Sequence, residues 1–177
     1  MEQDKREENA RQRPAKTPVA EYLKAVRAML RQDRIHEAYT IMQRSVDDYP
    51  GHPVLLSYYG WLHAVVEKKT RSGIIFCRRA LSGFQTTDPH TAGTIYPILY
   101  LNLGRTLLLA GRKKEAIESF TDGLTFDRRN RELKHEMNTL GVRKKPLLAF
   151  LSRSHPLNKV LGKVLHTRAR AVESAKH

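Results

Sequence analysis

The sequence predicts an all-α chain in which stacked helix pairs form a superhelix, closed by a capping helix and followed by a short amphipathic helical tail. Three observations predict it. The stretch Pro97–Asn130, PILYLNLGRTLLLAGRKKEAIESFTDGLTFDRRN, is one complete helix–turn–helix unit of 34 residues. Two stretches upstream keep its apolar spacing with weaker punctuation. Downstream, RELKHEMNTLG continues as a helix, with Leu133, Met137 and Leu140 at i, i+4 and i+7 and Gly141 to stop it. Repeats of this length stack so that each pair buries the apolar face of its neighbour.

The elements follow in chain order. Residues 1–18 are mixed in charge, poor in apolar residues and carry two prolines, so they read as a disordered arm. Residues 19–52 form the first pair, with Tyr22, Ala25, Val26 and Met29 on its first helix and Ala38, Met42, Ser45 and Val46 on its second. Pro50 stands just past its end, where proline stops a helix. Residues 53–86 form the second pair, with Leu56, Tyr59, Gly60 and His63 and then Ser72, Phe76, Ala80 and Leu81. The third pair, 97–130, is the most regular. Tyr100, Leu103, Gly104 and Leu107 share one face, Gly111 makes the turn, and Ala116, Phe120, Gly123 and Leu124 line the second helix. The third pair starts 44 residues after the second instead of 34. The extra residues fall around QTTDPHTAGTIY and leave 87–96 as an insertion rich in turn and cap formers. Residues 131–141 are the capping helix and 142–177 the tail.

Small residues at the seam, a glycine at the turn and Glu115 beside Ala116 make 97–130 resemble a tetratricopeptide repeat, with 19–52 and 53–86 as degenerate copies. The resemblance implies a right-handed α-α superhelix, a solenoid whose first helices line a concave groove. It also implies a non-enzymatic interaction scaffold, an adaptor or chaperone, that holds a protein or peptide segment there. In this register Glu67 replaces the usual turn glycine of the second repeat and Ser72 the usual alanine, while Asp33 stands at the first turn.

The register gives the groove Leu23, Lys24, Arg27, Leu30 and Arg31 from the first repeat. The second gives Ser57, Tyr58, Trp61, Ala64 and Val65, and the third gives Leu101, Asn102, Arg105, Leu108 and Leu109. Apolar, aromatic and cationic residues together suit a segment with apolar and acidic side chains. Trp61 either faces the groove or packs on a neighbouring helix, and the cations either pair with a ligand or form a solvated face. Some family members hold the C-terminal carboxylate of heat-shock chaperones with a clamp of Lys and Asn, then Asn, then Lys and Arg. Leu23, Arg27, Tyr58, Ile98 and Asn102 occupy those positions, so the clamp is not expected. Size and repeat number also resemble the tetratricopeptide chaperones of type III secretion, which are usually acidic. This chain carries a net charge of +14.

That charge is concentrated at the C-terminal end, where residues 141–177 hold nine basic side chains and one acidic. Leu157, Val160, Leu161, Val164 and Leu165 form an amphipathic stripe opposite Asn158, Lys159, Lys163, His166 and Arg168. Three readings stay open: the tail folds back on the repeats, it binds a partner or a second copy of the chain, or it lies on an anionic membrane or nucleic acid.

Chemistry is not expected. The eight histidines show no metal-ligand spacing, no phosphate loop is present, and the lone Cys77 reads as a small packing residue, so no cofactor, metal or catalytic residue is assigned. A chain without a secretory leader, a spanning segment or a second cysteine fits a cytoplasmic location.

Overall fold

The computed structural model describes residues 16–141. The N-terminal arm up to residue 15 and the tail 142–177, with Leu157, Lys159, Val160, Leu161, Lys163, Val164 and Leu165, lie outside the described residues. The chain divides into two compact units at Met137, and of the second only residues 138–141 are described.

Seven helices run through the described residues: α1 (Val19–Arg31), α2 (Ile35–Asp48), α3 (Pro53–Val66), α4 (Thr70–Ser82), α5 (Pro89–Leu109), α6 (Lys113–Phe126) and α7 (Arg131–Thr139). The described fold is all-helical. Within each pair the helices pack side by side, and α3 also packs on α2 and α5, so the second pair sits in the middle of the stack. Local chemistry sets several starts. Pro53 and Pro89 occupy the first helical turn, where a missing N–H costs nothing. The Asp88 carboxylate caps α5 by accepting from the N–H groups of His90 and Thr91, and Asn130 accepts from Leu133 N at the start of α7.

The structure corrects the sequence reading in two places. The turn residue of the second pair is Lys68 (φ 59°), not Glu67. It matches Asp33 (φ 57°) and Gly111 (φ 74°), the turn residues of the other two pairs, but stands one residue further from the start of its pair. The whole of α4 is therefore shifted by one. Gly73, not Ser72, is the counterpart of Ala38 and Ala116. Cys77, not Phe76, is the counterpart of Met42 and Phe120. Ala80 matches Ser45 and Gly123. All nine of these counterparts are buried.

The second correction concerns 87–96. Its cap formers open a helix: Pro89–Tyr96 are helical and continuous with the first helix of the third pair. The resulting helix has 21 residues and passes through Pro97. Pro97 has no N–H to offer the carbonyl of Gly93, four residues earlier. Tyr96 stacks on Phe126 (centroids 4.3 Å apart), meets Phe84 edge-on at 5.0 Å, and donates its hydroxyl to the Phe84 carbonyl.

Seam packing differs from pair to pair. In the third pair Gly104 leaves the space that the fully buried Phe120 ring fills. In the second, the two backbones meet directly. A methyl carbon built on Gly73 would lie 2.5 Å from the Gly60 carbonyl oxygen, and one on Gly60 would lie 2.8 Å from the Gly73 oxygen. The small Cys77 follows from that close approach. Its buried Sγ lies 3.6 Å from both the Ser57 carbonyl and Thr106 Oγ1, and burial pushes the thiol up to about 12.

Candidate functional site

The first helices α1, α3 and α5 supply the surface that the sequence assigns to ligand binding. On α1, Lys24, Arg27 and Arg31 are exposed at i, i+3 and i+7, so they share one stripe. None of the three makes an ion pair among the described residues. Leu23 and Leu30 flank them, half-buried against the first core cluster.

The middle of the surface is Trp61. Its ring is half-buried, packed against the cluster of Tyr22, Val26, Met42, Leu55 and Leu62, so it combines the two orientations weighed from sequence. The Arg105 guanidinium lies over the ring, 4.9 Å from its centroid. A cation stacked on an indole face gains electrostatic attraction from the ring quadrupole. Arg105 is also held from the capping helix: Nε donates to Glu136 Oε1 at 2.7 Å and an Nη to Glu132 Oε2 at 3.3 Å. Val65 stands one turn from Trp61, and Leu108 and Leu109 stand one turn beyond Arg105 on α5. Leu109 is 48% exposed, which is unusual for a leucine here.

Four assigned groove residues are not on this surface. Asn102 is fully buried and donates from Nδ2 to Ser57 Oγ at 3.0 Å, so both belong to the contact between α3 and α5. Thr106 joins them by donating to the Asn102 carbonyl. Asn102 Oδ1 has no hydrogen-bond partner in that seam. Leu101 and Ala64 are buried in the core. Ser57 and Asn102 lie on the flank where α3 meets α5, and Ala64 packs toward Gly73 of α4, so none of these can also face a groove. Tyr58 is half-buried against both core clusters. Sequence reasoning missed Glu132 and Glu136 because the capping helix was read only for its apolar stripe.

A second polar cluster sits at the contact of the first two pairs. Tyr39 OH and His63 Nδ1 are 3.0 Å apart, and Tyr59 and Phe76 pack around the imidazole. Burial, then the nearby Lys69, hold His63 below the usual imidazole range. Burial raises Tyr39 to about 12. Among the described residues there is no group of His, Cys, Asp and Glu side chains arranged to hold a metal ion, and no helix is long and apolar enough to cross a membrane.

No family model matches the chain, and no curated protein matches it. Among solved structures, it resembles the first tetratricopeptide domain of Spaghetti (RPAP3), solved with the HSP90 peptide SRMEEVD bound. The TM-score is 0.50 at 17% identity, over 72% of this chain and 96% of that one. With the recurrent seam residues, the turn positions and the paired helices, this likeness establishes the architecture: the chain is tetratricopeptide-like and has the fold of a tetratricopeptide-repeat solenoid.

Proposed function

We propose that the chain is an interaction scaffold, an adaptor or chaperone, that holds a protein or peptide segment with apolar and acidic side chains against α1, α3 and α5. One observation carries the reading: a half-exposed Trp61 capped by Arg105, with an exposed Leu109 one turn beyond Arg105 and, on α1, a stripe of cations without ion pairs among the described residues. Aromatic and arginine anchors supply much of the energy in such interfaces, and cations draw carboxylates to them. The neighbour's HSP90 peptide is not carried over. The clamp positions here are Leu23, Arg27, Tyr58, Ile98 and the buried Asn102, which do not reproduce that set.

Trp61 is the single tryptophan, so its fluorescence reports occupancy directly. Titration with peptides combining leucine and glutamate is expected to shift the emission and to saturate. Anisotropy with a labelled peptide is expected to show about 30-fold weaker binding for Trp61→Ala, the scale of an interface anchor. Arg27→Glu lies on an exposed face and leaves the core untouched, and it is expected to weaken binding several-fold. If deletion of residues 146–177 abolishes capture while Trp61→Ala and Arg105→Ala leave it intact, the groove reading is wrong.

The nine basic side chains and one acidic of residues 141–177 favour a second reading, in which the tail draws the chain to an anionic membrane or nucleic acid. Such binding falls steeply between low and physiological salt, whereas apolar groove binding does not.

A further inference from the structure

We propose that Glu132 and Glu136 of the capping helix are a built-in competitor for the acidic partner, and that the partner's recognition element is a pair of carboxylates that takes their place on Arg105. The proposal rests on the groove reading above and adds its regulation and the ligand feature it selects.

The two glutamates are four residues apart, so they share one face of α7 one turn apart. Both reach the same guanidinium, at 2.7 Å and 3.3 Å, while the indole of Trp61 lies against its face. The cation at the centre of the groove is thus already occupied by the chemistry the groove is suited to bind. The cations of α1 differ: Lys24, Arg27 and Arg31 have no such ion pair among the described residues. The surface therefore holds an open cationic half and a half filled from within.

The capping helix has fastenings besides the glutamates. Leu133 is fully buried over Gly123, whose missing side chain makes its seat: a methyl carbon there would lie 2.9 Å from Leu133 Cδ1. Asn130 caps the start of the helix independently. Exchange at Arg105 therefore needs side chains to move and leaves the core closed. The Glu132 side chain is 67% exposed and can swing into solvent, whereas Glu136 is 17% exposed and is the tighter competitor. A partner with a single carboxylate displaces only one of the two, whereas one with two carboxylates a turn apart replaces both contacts at once. The cap thereby sets a threshold that favours doubly acidic segments.

The test uses the full chain and a fluorescein-labelled peptide with two glutamates flanked by leucines, alongside its diglutamine counterpart. The double variant Glu132→Gln, Glu136→Gln is expected to bind the acidic peptide about fivefold more tightly, the upper end of the scale for one surface ion pair. The gain is expected to vanish for the diglutamine peptide and in an Arg105→Gln background. Glu132→Gln alone, on an exposed side chain, is expected to give a smaller gain with unchanged melting temperature, which separates competition from a loosened cap. Equal or weaker binding by the double variant, with wild-type binding intact, overturns the proposal. Failure of the groove reading has a different signature: neither protein binds the peptide, or Arg27→Glu leaves its binding untouched.

Discussion

Gly73→Ala separates the register found in the structure from the one suggested by sequence, because the two give opposite signs. In the sequence register Ser72 stands where the seam alanine belongs and Gly73 is an ordinary helical position. Alanine at Gly73 then gains about 1 kcal/mol of helix propensity. In the structure the new methyl carbon lies 2.5 Å from the Gly60 carbonyl oxygen, 2.8 Å from Ala64 Cβ and 3.1 Å from Thr106 Cγ2. The first two neighbours have no rotamer with which to retreat, and ordinary contact begins near 3.4 Å, so α3 and α4 must separate by about 0.9 Å. Overpacking of a rigid seam costs about 3 kcal/mol, the upper part of its usual range. After the propensity gain, the net loss is about 2 kcal/mol. Urea unfolding followed by Trp61 emission and by helical circular dichroism measures it as a lower midpoint at unchanged slope. Ser72→Ala is the control and is expected to stay within about 0.5 kcal/mol of wild type. A Gly73→Ala protein as stable as wild type, or more so, refutes the backbone-to-backbone seam and the one-residue shift with it.

Phe120→Ala empties the space beside Gly104 and is expected to lose about 3–5 kcal/mol, read from the same urea curves. Cys77 is expected to resist a thiol reagent at pH 8 in the native protein and to react fully in denaturant, since burial holds its thiol near 12. His63 titrates lower in the folded chain than unfolded, so the unfolded state binds the extra proton first as pH falls. Stability is therefore expected to be fully present above the ordinary imidazole range and to drop on acidification from about pH 6.5. His63→Gln is expected to flatten that dependence in melting curves taken from pH 7.5 to 5, although His52, also lowered by burial, keeps part of it.

What was legible in the sequence was the third pair, because every feature of its geometry is written in a residue that has few alternatives. Gly111 supplies the positive φ of the turn, Gly104 and Phe120 are a complementary small–large pair, and Gly141 ends the cap. The second pair hid its shift because Lys68 adopts the left-handed conformation without being a glycine or asparagine, so nothing in the string marks the turn. Cys77 also stands where the other two pairs carry the large Met42 and Phe120, so side-chain size does not mark the inner position. The helical character of 89–96 is hidden in the sequence because Pro89, Gly93 and Pro97 are turn formers elsewhere. Here the first proline opens a helix at its tolerant end, and the last lies within a helix buttressed by aromatic rings. In the groove, periodicity named Trp61, Arg27 and Arg105. It could not tell which residues of each first helix turn inward, and so it took in Ser57, Ala64, Leu101 and Asn102.

The long helix α5 makes the array directional. At about 1.5 Å per residue it spans about 31 Å, against about 20 Å for α1 or α3. The surplus projects past its neighbour as a ledge, fastened by Phe84, Tyr96 and Phe126. A repeat of ordinary length can be duplicated ahead of Pro53, where the first and second pairs follow each other directly. The same module spliced in at Asp88 meets the ledge instead of a matching flank and parts Phe84 from Tyr96. Growth of this solenoid, by gene duplication or by design, is therefore open at its N-terminal side and blocked between its second and third pairs.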